Sequence, residues 1–178
     1  IPGSRERILS HSPSGKVPCL IDHGFTVWDS LAIGEYLAEK NPALLPADPA
    51  ARAIARAVTA EMHAGFQNLR SRMPMNVRKD YTGFGHSPEV DADIARIIAI
   101  WNDCRARFGA EGPYLFGRFS LADAAFAPVA FRFQTYGVKP EGAAGEYLAT
   151  LLANPHMQEW TAAARAETES IVEEDLYG

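Results

Sequence analysis

The sequence predicts a small α+β remnant, ordered β-β-α, followed by an all-α bundle. Three features carry that expectation. Two short β-branched and aromatic runs flank the turn pair His23-Gly24. A stretch with three prolines in nine residues, "NPALLPADP", then interrupts the chain. Beyond it, apolar residues recur at three- and four-residue steps almost to the end.

The hairpin comes first. Val17 to Ile21 is apolar and partly β-branched, Phe25 to Trp28 supplies a second strand, and His23-Gly24 suits the tight turn between them. After Asp29-Ser30 the period changes, and Leu31, Ile33, Tyr36, Leu37 and Ala38 belong to a helix that stops before Asn41-Pro42, because a residue preceding proline is pushed out of the helical region. The prolines of 42–49 rule out a regular element, so this segment reads as an interdomain linker.

Helices follow. Asp48 is a good N-cap with Pro49 at the first helical position, and Ile54, Val58, Met62, Phe66, Leu69 and Met73 form one apolar stripe on a long helix broken near Pro74. The loop "YTGFGHSPE" leads into a helix opened by Ser87 and Pro88, with its stripe at Val90, Ile94, Ile97, Trp101, Cys104 and Phe108 and a stop at Gly109. Two such helices in succession are expected to pack as an antiparallel pair. Ser120 with Asp123 three positions on makes a capping box, in which each side chain satisfies the other's free backbone donor. The helix it starts, Leu121 to about Tyr136, is apolar on almost every face and belongs in the middle of the bundle. Shorter helices are expected from about Gly145 to Leu152, and from Pro155, capped by Asn154, to about Ala166. The end, "ETESIVEEDLYG", reads as a loosely packed acidic tail.

Composition narrows the function. Seventeen Lys plus Arg against 22 Asp plus Glu give a net charge of −5 without a sustained basic run, which argues against nucleic acid and anionic membranes as partners. No apolar run reaches the length of a membrane span, and "IPGSRERILS" lacks the basic-then-apolar order of a signal peptide, so a cytoplasmic location is expected. Cys19 and Cys104 occupy apolar positions and read as two buried thiols. His11, His23, His63, His86 and His156 show no metal-ligand spacing, so no metal is expected and each reads as a surface or capping residue.

The hairpin carries the chemistry. Pro18 cannot donate to a ladder, and a cis Val17-Pro18 bond would turn the N–H and C=O of Val17 outward to pair with an extended peptide. A trans proline that opens a strand is the commoner alternative for an arbitrary X-Pro bond. Asp29-Ser30 stands where a helix begins, and there free N–H groups and the positive end of the dipole favour a carboxylate while the acidic side chain can take an ammonium. The pair thus suits an α-amino acid head group. The bland reading is an N-cap serine beside an exposed aspartate.

Taken together, "SGKVPCL", the hairpin, the acidic-Ser pair, the proline-rich linker and a helical bundle containing "FSLADAAFAP" resemble the glutathione S-transferase superfamily along essentially the whole chain. The resemblance implies the C-terminal half of a thioredoxin-like domain over 1–41, the linker at 42–49, and the family's all-helical domain over 50–178. It implies that the Val17 backbone pairs with the cysteine of glutathione, that Pro18 is the family's cis-proline, and that Asp29 and Ser30 hold the γ-glutamyl head group. Lys16 is placed to approach the glycyl carboxylate, with an idle exposed lysine as the alternative. Ser120 and Asp123 match a structural motif of the helical domain.

By the same resemblance glutathione is the co-substrate, a small electrophile its partner, detoxification the usual setting and a homodimer the usual assembly. In the family a first β-α-β unit carries the catalytic tyrosine, serine or cysteine. That unit is expected ahead of residue 1, which leaves no catalytic residue among these 178. Without a central strand the hairpin should present an open apolar edge, and about forty residues are few to bury a core alone. The competing expectations are a transferase that uses the glutathione thiolate, a non-catalytic binding or scaffold module of the same fold, and a helical fragment without a ligand.

Overall fold

In the computed structural model, which describes residues 3–169, 176 and 177, the chain opens with a short helix, α1 (Ser4–Leu9), that the sequence reading did not include. It buries none of its residues, so it has no apolar stripe to reveal it. Strands β1 (Cys19–Asp22) and β2 (Phe25–Trp28) then pair antiparallel, Cys19 opposite Trp28 and Asp22 opposite Phe25. Strand β1 begins two residues later than expected; Pro18, just before it, has no N–H to give a ladder. Val17, Ile21, Phe25 and Trp28 remain exposed on the hairpin.

Helix α2 (Ser30–Lys40) closes over the hairpin through one carboxylate. The Tyr36 hydroxyl donates to Asp22 Oδ2 at 2.7 Å, the Lys40 ammonium bonds the same oxygen, and Tyr36 also meets the Phe25 ring at 6.0 Å. The Lys40 bond, followed by that of Tyr36, holds the Asp22 carboxyl below the usual range. The linker is less irregular than expected: Asn41 caps a single 3-10 turn at Pro42–Leu44, where prolines are tolerated because the first N–H groups of a turn have no internal partner.

Asp48 accepts from the Ala51 N–H at 2.8 Å and starts α3 (Pro49–Ala64), which Arg56 ties back to α2 by a two-pronged pair with Glu35. The single long helix expected here is two. The chain turns out of α3 at Gly65, passes through Phe66 in the left-handed region at φ 59°, and resumes as α4 (Gln67–Arg72). Met62, Phe66, Leu69 and Met73 are all buried nevertheless, so the apolar periodicity runs straight across the break and conceals it. A Cβ on Gly65 would stand 2.7 Å from the Glu61 carbonyl oxygen. Gly65→Ala is therefore expected to cost about 1–3 kcal/mol, and an unchanged thermal melt would refute that close approach.

The remaining helices are α5 (Pro88–Phe108), α6 (Leu121–Tyr136), α7 (Gly142–Leu152) and α8 (Pro155–Ala166). All but the start of α7 fall on the expected bounds; it begins at Gly142 and not near Gly145. Helix α3 packs chiefly on α6, α5 packs on α4 and α7, and Glu61 and Arg96 bridge α3 to α5 at 2.7 Å. Fully buried Trp101 sits at the centre, 4.9 Å from the Tyr147 ring, 5.3 Å from Phe133 and 5.8 Å from Phe126. Asp123, also buried, receives the Ser120 N–H at 2.8 Å and the Leu115 N–H at 3.1 Å, fixing the entry into α6.

The two cysteines differ. Cys104 is buried and its thiol is pushed up to about 12 by that burial, whereas Cys19 is only half-buried and donates to the His11 carbonyl at 3.4 Å, so the expected pair of buried thiols is one. At the acidic end, residues 170–175 and 178 lie outside the described residues. The start of that end is held by Arg78, which donates to the Glu167 and Glu169 carbonyls, and Tyr177 packs on the rings of Tyr81 and Phe84. Among the described residues no helix is long and apolar enough to cross a membrane, and no cluster of three potential metal ligands occurs.

Candidate functional site

Strand β2 delivers the chain to Asp29, whose φ of 73° lies in a region that few non-glycine residues enter. From there Asp29 Oδ1 accepts the Leu31 N–H at 2.9 Å and caps α2, and Ser30 becomes the first helical residue. Eleven residues of helix thus aim their positive end and free N–H groups at Ser30. The Cys19–Trp28 pairing also brings Pro18 and Asp29 to the same end of the hairpin. The Val17–Pro18 bond is cis, and Val17 is 72% exposed.

Lys16 is exposed beside them, its N–H donating to Ser14 Oγ at 3.2 Å. Lys16, Val17, Pro18, Asp29 and Ser30 therefore occupy one corner of the hairpin–α2 unit, all of them accessible. None lines the cleft of about 980 Å³ that opens farther along α2, between Glu35, Arg52, Arg56, Phe108 and Phe119.

The sequence reading missed a residue at this corner. His63, in the last turn of α3, places Nε2 at 3.2 Å from Asp29 Oδ2 and Nδ1 at 3.5 Å from Ser30 Oγ. It was expected to be a surface or capping residue. Its partners, Ser30 and Asp29, are 33 and 34 residues away in sequence, and no local spacing signals a contact of that range. The chain around it is firmly held: the Arg70 guanidinium donates to the Met62 and His63 carbonyls at 2.5 and 3.1 Å, and Arg96 holds Glu61. An arginine on the last carbonyls of a helix satisfies groups that have no intrahelical partner.

The corner can therefore offer an acidic oxygen to an ammonium and a hydroxyl plus a helix N-terminus to a carboxylate. These opposite charges stand side by side, as they do in an amino acid head group.

Comparison with known proteins identifies the family. Residues 2–40 match the glutathione S-transferase N-terminal domain and residues 85–163 its C-terminal domain. The chain is similar to the maleylacetoacetate isomerase of Pseudomonas aeruginosa, 30% identical over 138 residues, covering 73% of this chain and 62% of that protein. It is also similar to the probable maleylacetoacetate isomerase of Caenorhabditis elegans, 36% identical over 85 residues, covering 46% of this chain and 40% of the relative. A stringent starvation protein A homolog of Pasteurella multocida is 27% identical over 158 residues, covering 83% of this chain and 66% of that one. The matches thus span 40% to 66% of these relatives' own length.

Among solved structures, a glutathione transferase homolog from Burkholderia with bound glutathione has a TM-score of 0.63 at 26% identity, covering 88% of this chain and 78% of that one. The theta class glutathione S-transferase of Xanthomonas axonopodis pv. citri, also with glutathione bound, has a TM-score of 0.61 at 26% identity, covering 89% and 76%. Matched in chain order on the hairpin–α2 unit, which is its thioredoxin-like portion, and on the helical bundle, the chain belongs to the glutathione S-transferase superfamily.

Proposed function

We propose that the protein binds glutathione at the corner formed by Lys16, Val17, Pro18, Asp29 and Ser30, and that the bound thiolate attacks a small electrophile. The observation that carries this reading is the acidic-Ser pair at the N-terminus of α2, where the two charges of an amino acid head group each meet their complement. Asp29 takes the γ-glutamyl ammonium, Ser30 and the free N–H groups of α2 take its carboxylate, and the exposed Val17 backbone pairs with the cysteinyl residue. Lys16 stands nearest the glycyl end. Solved relatives that hold glutathione support the ligand.

In this reading the five residues bind and orient, which converts an encounter of two solutes into a reaction within one complex. Activation of the thiol is a separate task, since a free thiol with a pKa of about 8.5 is mostly protonated at neutral pH. That task falls to a hydroxyl or thiol of the family's first β-α-β unit. Similarity to proteins named maleylacetoacetate isomerase favours an unsaturated keto acid as electrophile, with the thiolate adding to the conjugated carbon.

Retention of this chain on immobilised glutathione, followed by conjugation assays of the protein with the family's first β-α-β unit in place, using an activated aryl halide and a cis-unsaturated keto acid, tests the proposal. Specific elution by free glutathione together with turnover is the expected result. Retention without turnover of either electrophile would leave a non-catalytic binding module of the same fold, and failure to bind would overturn the reading.

A further inference from the structure

We propose that His63 is a titratable third member of the head-group corner, and that its protonation decides between a ligand carrying both ammonium and carboxylate and one carrying the carboxylate alone. This rests on the glutathione-binding reading above.

The argument starts from which oxygen is free. Asp29 Oδ1 is already taken by the Leu31 N–H, and Oδ2 faces His63 Nε2 at 3.2 Å. A ligand ammonium seeking Asp29 therefore competes with His63 for the same oxygen. The second ring nitrogen faces Ser30 Oγ at 3.5 Å, so the imidazole touches both halves of the corner at once.

The two protonation states act differently on those halves. Neutral imidazole with its proton on Nε2 offers Nδ1 as an acceptor, which draws the Ser30 O–H away from a ligand carboxylate. Protonated imidazole donates from both nitrogens. Nδ1–H then points at Ser30 Oγ and leaves the serine proton free for the ligand, while the new positive charge attracts a carboxylate and repels an ammonium.

Among the described residues, the neighbouring charges of α3 and α4 are engaged elsewhere. Arg70 of α4 is engaged by the Met62 and His63 carbonyls, and Glu61 of α3 is held by Arg96 of α5. Asp29 and Ser30, from the hairpin–α2 junction, are the polar side chains it contacts. His63 and Asp29 are 38% and 48% exposed, so solvent screens the coupling and a modest effect is expected.

The experiment measures the dissociation constants of glutathione and of its deamino analogue, glutaryl-cysteinyl-glycine, for the full chain by calorimetry. The measurements are made at about pH 5.5 and at about pH 8. Both ligands carry the same thiol and glycyl carboxylate, so the titration of those groups cancels in the ratio of the constants. Lowering the pH should shift that ratio about threefold to fivefold toward the deamino ligand, the size expected of a half-exposed ion pair. The shift should fall within experimental error in His63→Gln, which keeps a polar side chain at the corner and removes the change of charge. A flat ratio in the unmodified protein, or an undiminished shift in His63→Gln, would overturn the role of His63 while leaving glutathione binding standing. Absence of binding by either ligand at both pH values would overturn the glutathione reading and this inference with it.

Discussion

Asp123→Ala is expected to lower stability by about 3–5 kcal/mol, a large share of the roughly 5–15 kcal/mol that separates a folded domain from its unfolded state. The carboxylate is buried and accepts the backbone N–H groups of Leu115 and Ser120 and the Ser120 hydroxyl at 3.1, 2.8 and 2.9 Å. Leu115 and Ser120 are buried too, so removing the acceptor strands their donors where water cannot replace it. Asp123→Asn keeps an acceptor but turns an amide donor toward other donors, and should cost less than the alanine.

The pH dependence of this site has a definite sign. Burial is the largest influence on Asp123 and raises its carboxyl above the ordinary range, outweighing the hydrogen bonds that favour the charged form. A raised value means that the folded protein holds the proton more tightly than the unfolded chain. The contribution is then fully present below the unfolded carboxylate range and is lost as pH rises through the folded value. Glu61 runs the other way: its bond to Arg96 lowers it, so its small contribution holds above the unfolded range and is lost as pH falls. Subtracting the stability of Asp123→Asn from that of the unmodified protein, by urea unfolding at several pH values, isolates Asp123. The difference should shrink as pH rises; a difference that grows would mean that the hydrogen bonds outweigh burial.

Ser30→Ala is expected to weaken glutathione binding about 10- to 100-fold, because a hydrogen bond to a charged group contributes roughly 1.5–3 kcal/mol. Folding should barely change. Ser30 is exposed, and the cap of α2 is made by Asp29 through Leu31 N–H, so the stability change should stay within about 0.5 kcal/mol. Calorimetric titration and thermal melts on the same preparation separate the two effects. Undiminished affinity in a fully folded variant would remove Ser30 from the site.

Local chemistry made most of the bundle legible. Of the α5 stripe expected at Val90, Ile94, Ile97, Trp101, Cys104 and Phe108, all but the half-buried Phe108 are buried, and α6 runs from Leu121 to Tyr136 as the capping box and apolar composition imply. Periodicity failed where it is blind to direction. At Gly65 the axis turns while Met62, Phe66, Leu69 and Met73 continue to face the core, so one stripe spans two helices. It was also silent at α1, which buries nothing.

Asp29 and Ser30 could be singled out from the sequence because their place at a helix start is a property of neighbouring residues. His63 could not. Its place depends on how α3 lies against α2, on Glu35 and Arg56 joining those helices, and on Arg70 closing the end of α3. The sequence by itself determined the hairpin, the main helices, the caps at Asp48, Ser87, Ser120 and Asn154, and the family, because short-range sterics and burial periodicity are written in adjacent residues. Only the tertiary structure decided that an imidazole 34 and 33 residues away meets both Asp29 and Ser30, because that contact is set by helix packing across the linker and not by any local pattern.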